Sequence, residues 1–351
     1  MPFKTFPPVV SFDQKVPKAE TTLAPGGDDD VNYAKNIAEA VNVQEIDTNL
    51  YMSKELWLPP GARGVFGGQI VAQALRAAYN TVPEEFHVHS LHNYFILPGN
   101  VEYPVIYQVQ RLRDGRSFAT RFLTATQRGK AIFVASFSFA KPGKAITLEH
   151  QAEMPNVPPP ETLPSEYDRM LKTLENNELP PKYRDYLETR LEETMPMDYR
   201  NVYQVSEKEA LSGRLPAKQT QYRWFKTRGT LDNDPRLHNC VVAYASDSAF
   251  IGTAAMANGL ASRAIGMMAS LDHSMWFHAP VRADEWLLYE MHSPRTSDGR
   301  GVVFGRLYRQ DGTLVATTAQ EGIVRLSERE QQRRLKQQQD AKDLNKDNSK
   351  L

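Results

Sequence analysis

The pattern of hydrophobic and polar positions predicts the same order of elements in each half of the chain. Apolar residues recur at helical spacing in residues 68–80, and residues 244–259 form a second small and apolar stretch that we interpret as the corresponding helix. After each of these stretches, apolar and polar residues alternate, most clearly in 103–111 and 302–308, as is typical of strands. Asp-Gly pairs near these alternating segments indicate hairpin turns between antiparallel strands.

The two halves of the chain also contain similar sequence motifs in the same order. Residues 89–98 correspond to residues 271–280, and the tripeptide Asp-Gly-Arg at 114–116 returns at 298–300, at an offset of 182 to 184 residues. An offset that stays nearly constant indicates two copies of one unit rather than a solenoid. One helix followed by several long antiparallel strands predicts an α+β fold in which a sheet wraps around a helix in each copy.

The ends and the middle of the chain differ from the repeats in composition and in their pattern of apolar and polar residues. We expect five segments: a flexible N-terminal arm (1–35), a first repeat (36–141), a linker or helical insertion (142–215), a second repeat (216–326) and a polar tail (327–351). The insertion is rich in proline and contains two charged helical stretches, around 165–174 and 182–194. The tail is nearly all polar, which is typical of a solvated helix or a disordered segment.

The tail finishes in Ser349-Lys350-Leu351. Ser-Lys-Leu at a free C-terminus is the signal that a peroxisomal import receptor reads. A receptor can bind only an accessible C-terminus, and a polar tail keeps it accessible. The sequence therefore predicts that the protein lies in the peroxisomal matrix and has the import receptor as a partner.

Composition and charge exclude several other classes. Lys plus Arg and Asp plus Glu number 42 each, so there is no overall field that would favour nucleic acid as a partner. The single cysteine, Cys240, excludes a disulfide framework and a multi-cysteine metal site. No run of about 18 apolar residues predicts a membrane span, and the N-terminus lacks the apolar core of a secretory signal.

The common catalytic motifs are missing from the sequence. There is no Gly-x-Ser-x-Gly, His-Glu-x-x-His or Walker motif, and Gly299-Arg300-Gly301 leads into a strand pattern rather than a nucleotide-binding helix. Asp272-His273-Ser274 invites interpretation as a catalytic triad. It lies in a strand pattern, however, where neighbouring residues face opposite sides, so we interpret His273 as structural. Cys240 is interpreted as a small buried residue.

Several motifs carry a family resemblance. They are Phe66-Gly67-Gly68-Gln69, His89-Ser90-Leu91-His92, Tyr244-Ala245-Ser246-Asp247, the segment from Ser270 to His278, and Ala319-Gln320-Glu321-Gly322. With these motifs the sequence resembles the acyl-CoA thioesterase II family, and most closely its peroxisomal branch, whose members also end in Ser-Lys-Leu. The likeness covers about residues 50–141 and 221–325. It implies a double hotdog fold, with two repeats that each wrap an antiparallel sheet around a long helix, and hydrolysis of fatty acyl-CoA.

The resemblance also implies a catalytic set. In this family an Asp, a Thr or Ser, and a Gln hold the hydrolytic water, and by motif they fall on Asp247, Ser270 and Gln320. The chemistry is coherent, because a thioester needs only an oriented water, a proton acceptor and donors for the oxyanion. We expect Asp247 to act as the base or to orient the water, Gln320 and Ser270 to position that water, and backbone N–H groups at a helix start to meet the oxyanion. No metal or organic cofactor is implied.

The first repeat lacks this set. Phe137 takes the repeat position of Gln320, and no Asp stands at the start of the first helix. Gly67 and Gly68 open that helix, where we expect them mainly to permit close packing of helix and sheet. The first repeat is therefore interpreted as structural, or as shaping the neighbouring pocket.

Two other functions stay open. A hotdog enoyl-CoA hydratase would pair an Asp with a His five positions later, but the fifth residue after Asp247 is Gly252. A catalytically silent acyl-CoA-binding protein would keep the fold without turnover, although both Asp247 and Gln320 are present. Because hotdog repeats leave sheet edges and apolar faces exposed, a homo-oligomer is expected.

Overall fold

A computed structural model describes residues 4–5, 29–143, 148–193 and 195–348. The helices are α1 (Asp29–Ala40), α2 (Gly67–Tyr79), α3 (Glu166–Leu174), α4 (Pro181–Leu191), α5 (Glu207–Ser212), α6 (Pro235–Ser246), α7 (Gly252–Ala257) and α8 (Glu328–Asn348). The strands are β1 (Lys4–Thr5), β2 (Val43–Asp47), β3 (Leu50–Ser53), β4 (Glu55–Leu56), β5 (His87–Phe95), β6 (Ile106–Asp114), β7 (Phe118–Gln127), β8 (Lys130–Ala140), β9 (Met197–Asn201), β10 (Thr220–Thr227), β11 (Ile265–Ser270), β12 (Asp272–Phe277), β13 (Leu287–Ser297), β14 (Arg300–Arg309) and β15 (Leu314–Leu326).

Strand β4 pairs with β1 in a separate two-stranded sheet, and the other strands of both repeats form one continuous antiparallel sheet, to which the insertion adds β9. Its order is β2-β3-β6-β7-β8-β5-β12-β15-β14-β13-β10-β9, and β11 pairs with β15 beside this path. The two repeats join where β5 pairs with β12, with Asp272 opposite Tyr94 and Trp276 opposite Ser90. One helix from each repeat, α2 and α6, lies against the inner face, and a single hydrophobic core extends across both repeats. The predicted α+β double hotdog architecture is confirmed.

The two central helices pack directly against each other. Gly68 makes this approach possible, because a Cβ built at that position would overlap the carbonyl oxygen of Tyr244 on α6. Gly68 therefore serves contact between helices, whereas we had expected the glycine pair to permit contact between helix and sheet.

The helix predicted over 68–80 is confirmed as α2, but the helix predicted over 244–259 is wrong. In the structure α6 ends at Ser246, and the chain turns before α7. Pro235 at the first helical position, with the side chain of Asp234 as its cap, starts α6 earlier than the apolar pattern suggested. Ala249, at φ 60°, interrupts the helical path between α6 and α7.

The insertion between the repeats forms its own small core. Helices α3 and α4 enclose Met170, Leu179, Leu187 and Met195. Just after α4, the buried Glu193 accepts hydrogen bonds from Arg190 and from the indole Nε1 of Trp57 in the first repeat. The insertion is thereby attached to the segment that leads into α2.

The ends of the described chain are helical. Helix α1 covers part of the segment in which the sequence showed little periodicity, and the polar tail forms the 21-residue helix α8. Glu330 near the start of α8 is buried and pairs with Arg214, Arg333 and Arg334. None of the helices in the described part of the chain combines the length and the apolar character that a membrane crossing requires.

Candidate active site

The structure brings the three predicted site residues together. Asp247 follows the last residue of α6 and is 9% exposed. The amide Nε2 of Gln320 donates a hydrogen bond of 2.8 Å to Oδ1 of Asp247. The hydroxyl of Ser270 donates to the same oxygen at 3.4 Å. A carboxylate, an amide and a hydroxyl therefore converge on one point at the inner face of the sheet.

The sheet register explains why Ser270 and Gln320 lie together. Strand β15 pairs with β11 and β12 in turn, and Ser270, the last residue of β11, lies opposite Gly322. Gln320 is two residues away on β15, so its side chain points to the inner face, where it is 1% exposed. Asp247 approaches from the helix layer above.

Asp247 lies at the carboxyl end of its helix, whereas the sequence analysis placed it near a helix start. The helix start that faces Asp247 belongs to α2 of the first repeat. A Cβ built on Gly67 would lie 2.7 Å from Oδ2 of Asp247. The first turn of α2 has no side-chain cap and no acidic residue. The N–H of Gln69 donates to the carbonyl oxygen of Phe66, whereas the N–H groups of Gly67 and Gly68 have no hydrogen-bond partner among the described residues. The unpaired N–H groups nearest Asp247 therefore belong to the first repeat.

The repeat counterpart of this place, where α6 begins and α2 ends, has no open helix start. Helix α6 begins with Pro235, which has no N–H, and Asp234 accepts a hydrogen bond from the backbone N–H two residues on, at 2.9 Å. Asn80 follows α2 as Asp247 follows α6, and Phe137 holds the repeat position of Gln320. Only one of these two related positions has the open helix start, the carboxylate and the amide.

His273 is buried beside the site and does not form a triad with its sequence neighbours. Its Nε2 lies 2.9 Å from Oγ of Ser246, the residue before Asp247. Asp272 and Ser274 face the opposite side of β12, where they line an open groove of about 690 Å³. Burial lowers the pKa of His273 to about 4, so the ring is neutral near pH 7.

Two further kinds of chemistry, a reactive cysteine and a bound metal ion, find no support in the described residues. Cys240 is fully buried in α6, and burial raises the pKa of its thiol to about 12, which leaves it protonated and unreactive. Within the described ranges, no group of three His, Cys, Asp or Glu side chains is arranged to hold a metal ion.

Comparison with known proteins identifies the two repeats. Residues 54–140 match the model of the acyl-CoA thioesterase N-terminal domain, and residues 160–324 match that of the C-terminal domain. Acyl-coenzyme A thioesterase 8 of Mus musculus is 42% identical over 83% of this chain and 89% of its own length. The peroxisomal acyl-coenzyme A thioester hydrolase 1 of Saccharomyces cerevisiae is 26% identical over 82% of this chain and 94% of its own. The crystal structure of an acyl-CoA thioesterase II from Mycobacterium marinum superimposes with a TM-score of 0.64 at 36% identity, covering 83% of this chain and 99% of that one.

Proposed function

Since the chain belongs to the acyl-CoA thioesterase II family, we propose that it hydrolyses fatty acyl-CoA to a free fatty acid and CoA, with Asp247, Ser270 and Gln320 holding the attacking water. The observation that carries the proposal is the 2.8 Å hydrogen bond from Gln320 to the buried carboxylate of Asp247. This bond fixes one carboxylate oxygen and leaves the other, Oδ2, facing the start of α2. A water between this oxygen and the bound thioester is correctly placed for attack.

The reaction needs no covalent intermediate. Asp247 accepts a proton from the water as the water oxygen bonds to the thioester carbon. The negative charge then develops on the carbonyl oxygen, where the open N–H groups at the start of α2 stabilise it. When the tetrahedral intermediate collapses, the C–S bond breaks, the fatty acid leaves, and the CoA thiolate takes up the proton. Ser270 and Gln320 hold the carboxylate and the water in place throughout.

Release of free CoA thiol from a panel of short- to long-chain acyl-CoAs tests this proposal. Asp247→Ala and Gln320→Leu should each lower kcat by at least about 100-fold, because each removes a group that orients or activates the water. Glu321→Gln is the matched control, since Glu321 is the next residue on β15 but pairs outward with Arg300. Turnover by Asp247→Ala within tenfold of wild type would overturn the site assignment. Acyl-CoA binding by the wild type without release would favour the silent binding protein.

Import into peroxisomes is a further part of the proposal. The signal at residues 349–351 lies outside the described residues, but α8 ends immediately before it, at Asn348. The yeast relative is named as peroxisomal. A fluorescent fusion that keeps the native C-terminus should colocalise with a peroxisomal marker, and deletion of the last three residues should leave it outside. Unchanged punctate fluorescence after the deletion would refute the role of this signal.

Self-association completes the proposal. The outer face of the sheet carries the exposed aromatic side chains Tyr94, Trp276 and Phe304 near the groove described above. Exposed aromatic side chains on one sheet face favour burial against another surface, and a second copy of this chain offers the same face. Light scattering of the wild type should give at least twice the mass of one chain. The double variant Trp276→Glu, Phe304→Glu should give the mass of a single chain. A wild-type monomer would refute this part.

A further inference from the structure

One buried side chain of the first repeat has no structural partner. Asn93 on β5 is 3% exposed, and neither its Nδ2 nor its Oδ1 has a hydrogen-bond partner among the described residues. The other buried amides of the same repeat behave differently. Gln69 and Gln73 on α2 each donate to the carbonyl oxygens of Ala40 and Glu55, at 2.8 to 3.0 Å. Asn93 thus stands apart from the amides that hold the first repeat together.

The position of Asn93 relates it to the site. It lies directly opposite His273 in the pairing of β5 with β12, at the junction of the two repeats. Two residues further along the same face, the ring of Phe95 lies 3.0 Å from the position of a Cβ on Gly67, beside Asp247. Asn93 therefore faces the region between the start of α2 and His273.

Two neighbouring polar atoms share this condition. Nδ1 of His273 and Oε1 of Gln320 are also buried without a partner among the described residues. Buried polar groups in proteins are nearly always hydrogen-bonded, and an exception calls for an explanation such as a catalytic role. Here three residues with such atoms lie on the inner face around Asp247, on strands from both repeats. A carbonyl oxygen of a bound substrate would satisfy a donor such as Nδ2 of Asn93, and a water would satisfy an acceptor such as Oε1 of Gln320.

We propose that Asn93 is a further residue of the active site, and that its Nδ2 donates a hydrogen bond to the carbonyl oxygen of the acyl thioester. This inference rests on the proposed function. A side-chain amide supplements backbone N–H donors effectively, because it is neutral and holds its donor in a fixed plane. Asn93 and the first N–H groups of α2 then form the oxyanion donors, while the second repeat supplies the carboxylate. The site draws on both repeats.

Kinetics and thermal stability together separate this role from a structural one. Asn93→Leu should lower kcat about 100-fold, the typical effect of removing one oxyanion donor, without lowering Tm, because no internal hydrogen bond is lost. Asn93→Ser keeps a donor and should retain more activity than the Leu variant. Gln73→Leu is the control for a partnered buried amide and should lower Tm. An Asn93→Leu variant with a kcat within threefold of wild type, or with a Tm lowered as in the Gln73 control, would overturn the inference.

Binding of two unreactive analogues locates the contact on the carbonyl oxygen. One is a ketone in which a methylene replaces the thioester sulfur, and the other is an S-alkyl-CoA of equal length without the carbonyl. By calorimetry, Asn93→Leu should weaken binding of the ketone about fivefold to tenfold and leave binding of the S-alkyl-CoA unchanged. Equal effects on both analogues, or none on either, would overturn the inference.

The proposed function can fail separately. If Asp247→Ala is inactive while Asn93→Leu keeps wild-type turnover, only the inference about Asn93 falls. If the wild type releases no thiol from any acyl-CoA, the proposed function is wrong, and the inference about Asn93, which rests on it, is wrong too.

Discussion

The residues around Asp247 combine tight packing with open hydrogen-bonding capacity. The two glycines that open α2 show the difference between these roles. Next to Gly67 lies the end of a flexible side chain, the Asp247 carboxylate, whereas next to Gly68 lies the backbone carbonyl of Tyr244. A side chain can move to admit an extra methyl group, but a packed helix backbone cannot do so cheaply.

Substitution of each glycine by alanine should therefore give different results. Gly67→Ala should lower kcat at least tenfold and cost less stability than Gly68→Ala, because its Cβ displaces the ends of two side chains, the Asp247 carboxylate and the Phe95 ring. Gly68→Ala should lower the free energy of unfolding by about 1–3 kcal/mol, since α2 and α6 must separate. Urea denaturation and thiol release measure the two effects. Equal loss of stability in both variants would contradict the assignment of Gly67 to the site.

His273 should make the protein sensitive to acid. Its pKa is 6.5 when unperturbed and is lowered to about 4 by burial, so the unfolded chain binds a proton at a higher pH than the folded one. Stability from this group is complete above pH 6.5 and is lost as the pH falls towards 4. Between pH 7 and 4.5, wild type should lose about 2–3 kcal/mol more than His273→Gln in urea denaturation. The same loss in both proteins would contradict this origin.

At the scale of elements, the insertion supports the start of α2. Glu193 holds Trp57, whose ring meets the edge of Phe66, and the Phe66 ring in turn meets Tyr244. Phe66 is the residue immediately before α2. The helical insertion thereby influences the donors that face Asp247, although it contributes no side chain to the catalytic set.

Removal of this support should affect both stability and turnover. Glu193→Ala leaves Arg190 without its buried partner and should cost about 3 kcal/mol of unfolding free energy, with a lower kcat at the same time. Glu192→Ala is the matched control, because the adjacent Glu192 is exposed. Denaturation and kcat are measured on both variants. Wild-type kcat in a folded Glu193→Ala protein would show that the insertion does not position α2.

The sequence predicted some of these elements well and others poorly, for physical reasons. The period of α2 and the alternation in β6 and β14 are local signals, so they could be recognised directly. The bounds of α6 depend on Pro235 at its start and on the positive φ of Ala249 after its end, whereas the apolar pattern begins after Pro235 and extends past Ala249. The close approach of Asp247 to Gly67 depends on packing between helices of different repeats. No local sequence pattern encodes that packing.

At the scale of the whole molecule, Glu330 links α8 to Arg214 in the body of the protein. Three guanidinium groups surround this buried carboxylate and lower its pKa to about 2, so the attachment persists at neutral pH. Most other side chains in residues 328–341 face solvent.

Loss of the ion pair between Glu330 and Arg214 should release α8 without affecting the active site. Glu330→Ala should increase hydrogen exchange and proteolysis in 328–341 while kcat stays within twofold of wild type. Glu328→Ala is the control, because Glu328 lies in the same helical turn and is exposed. Unchanged exchange in the Glu330 variant would show that other contacts hold α8.

The difference between the open start of α2 and the capped start of α6 also bears on why the two repeats occupy one chain. In a symmetric pair of identical subunits, every substitution would occur twice, so a capped helix start in one half would be a capped start in both. Two copies in one chain are free of that constraint. Here one copy has an uncapped helix start and no acid at Asn80, and the other has the acid, Asp247, and a capped helix start. The two halves are thus specialised, and an acid introduced at Asn80 would not by itself reproduce the site, because the first residue of α6, Pro235, has no N–H.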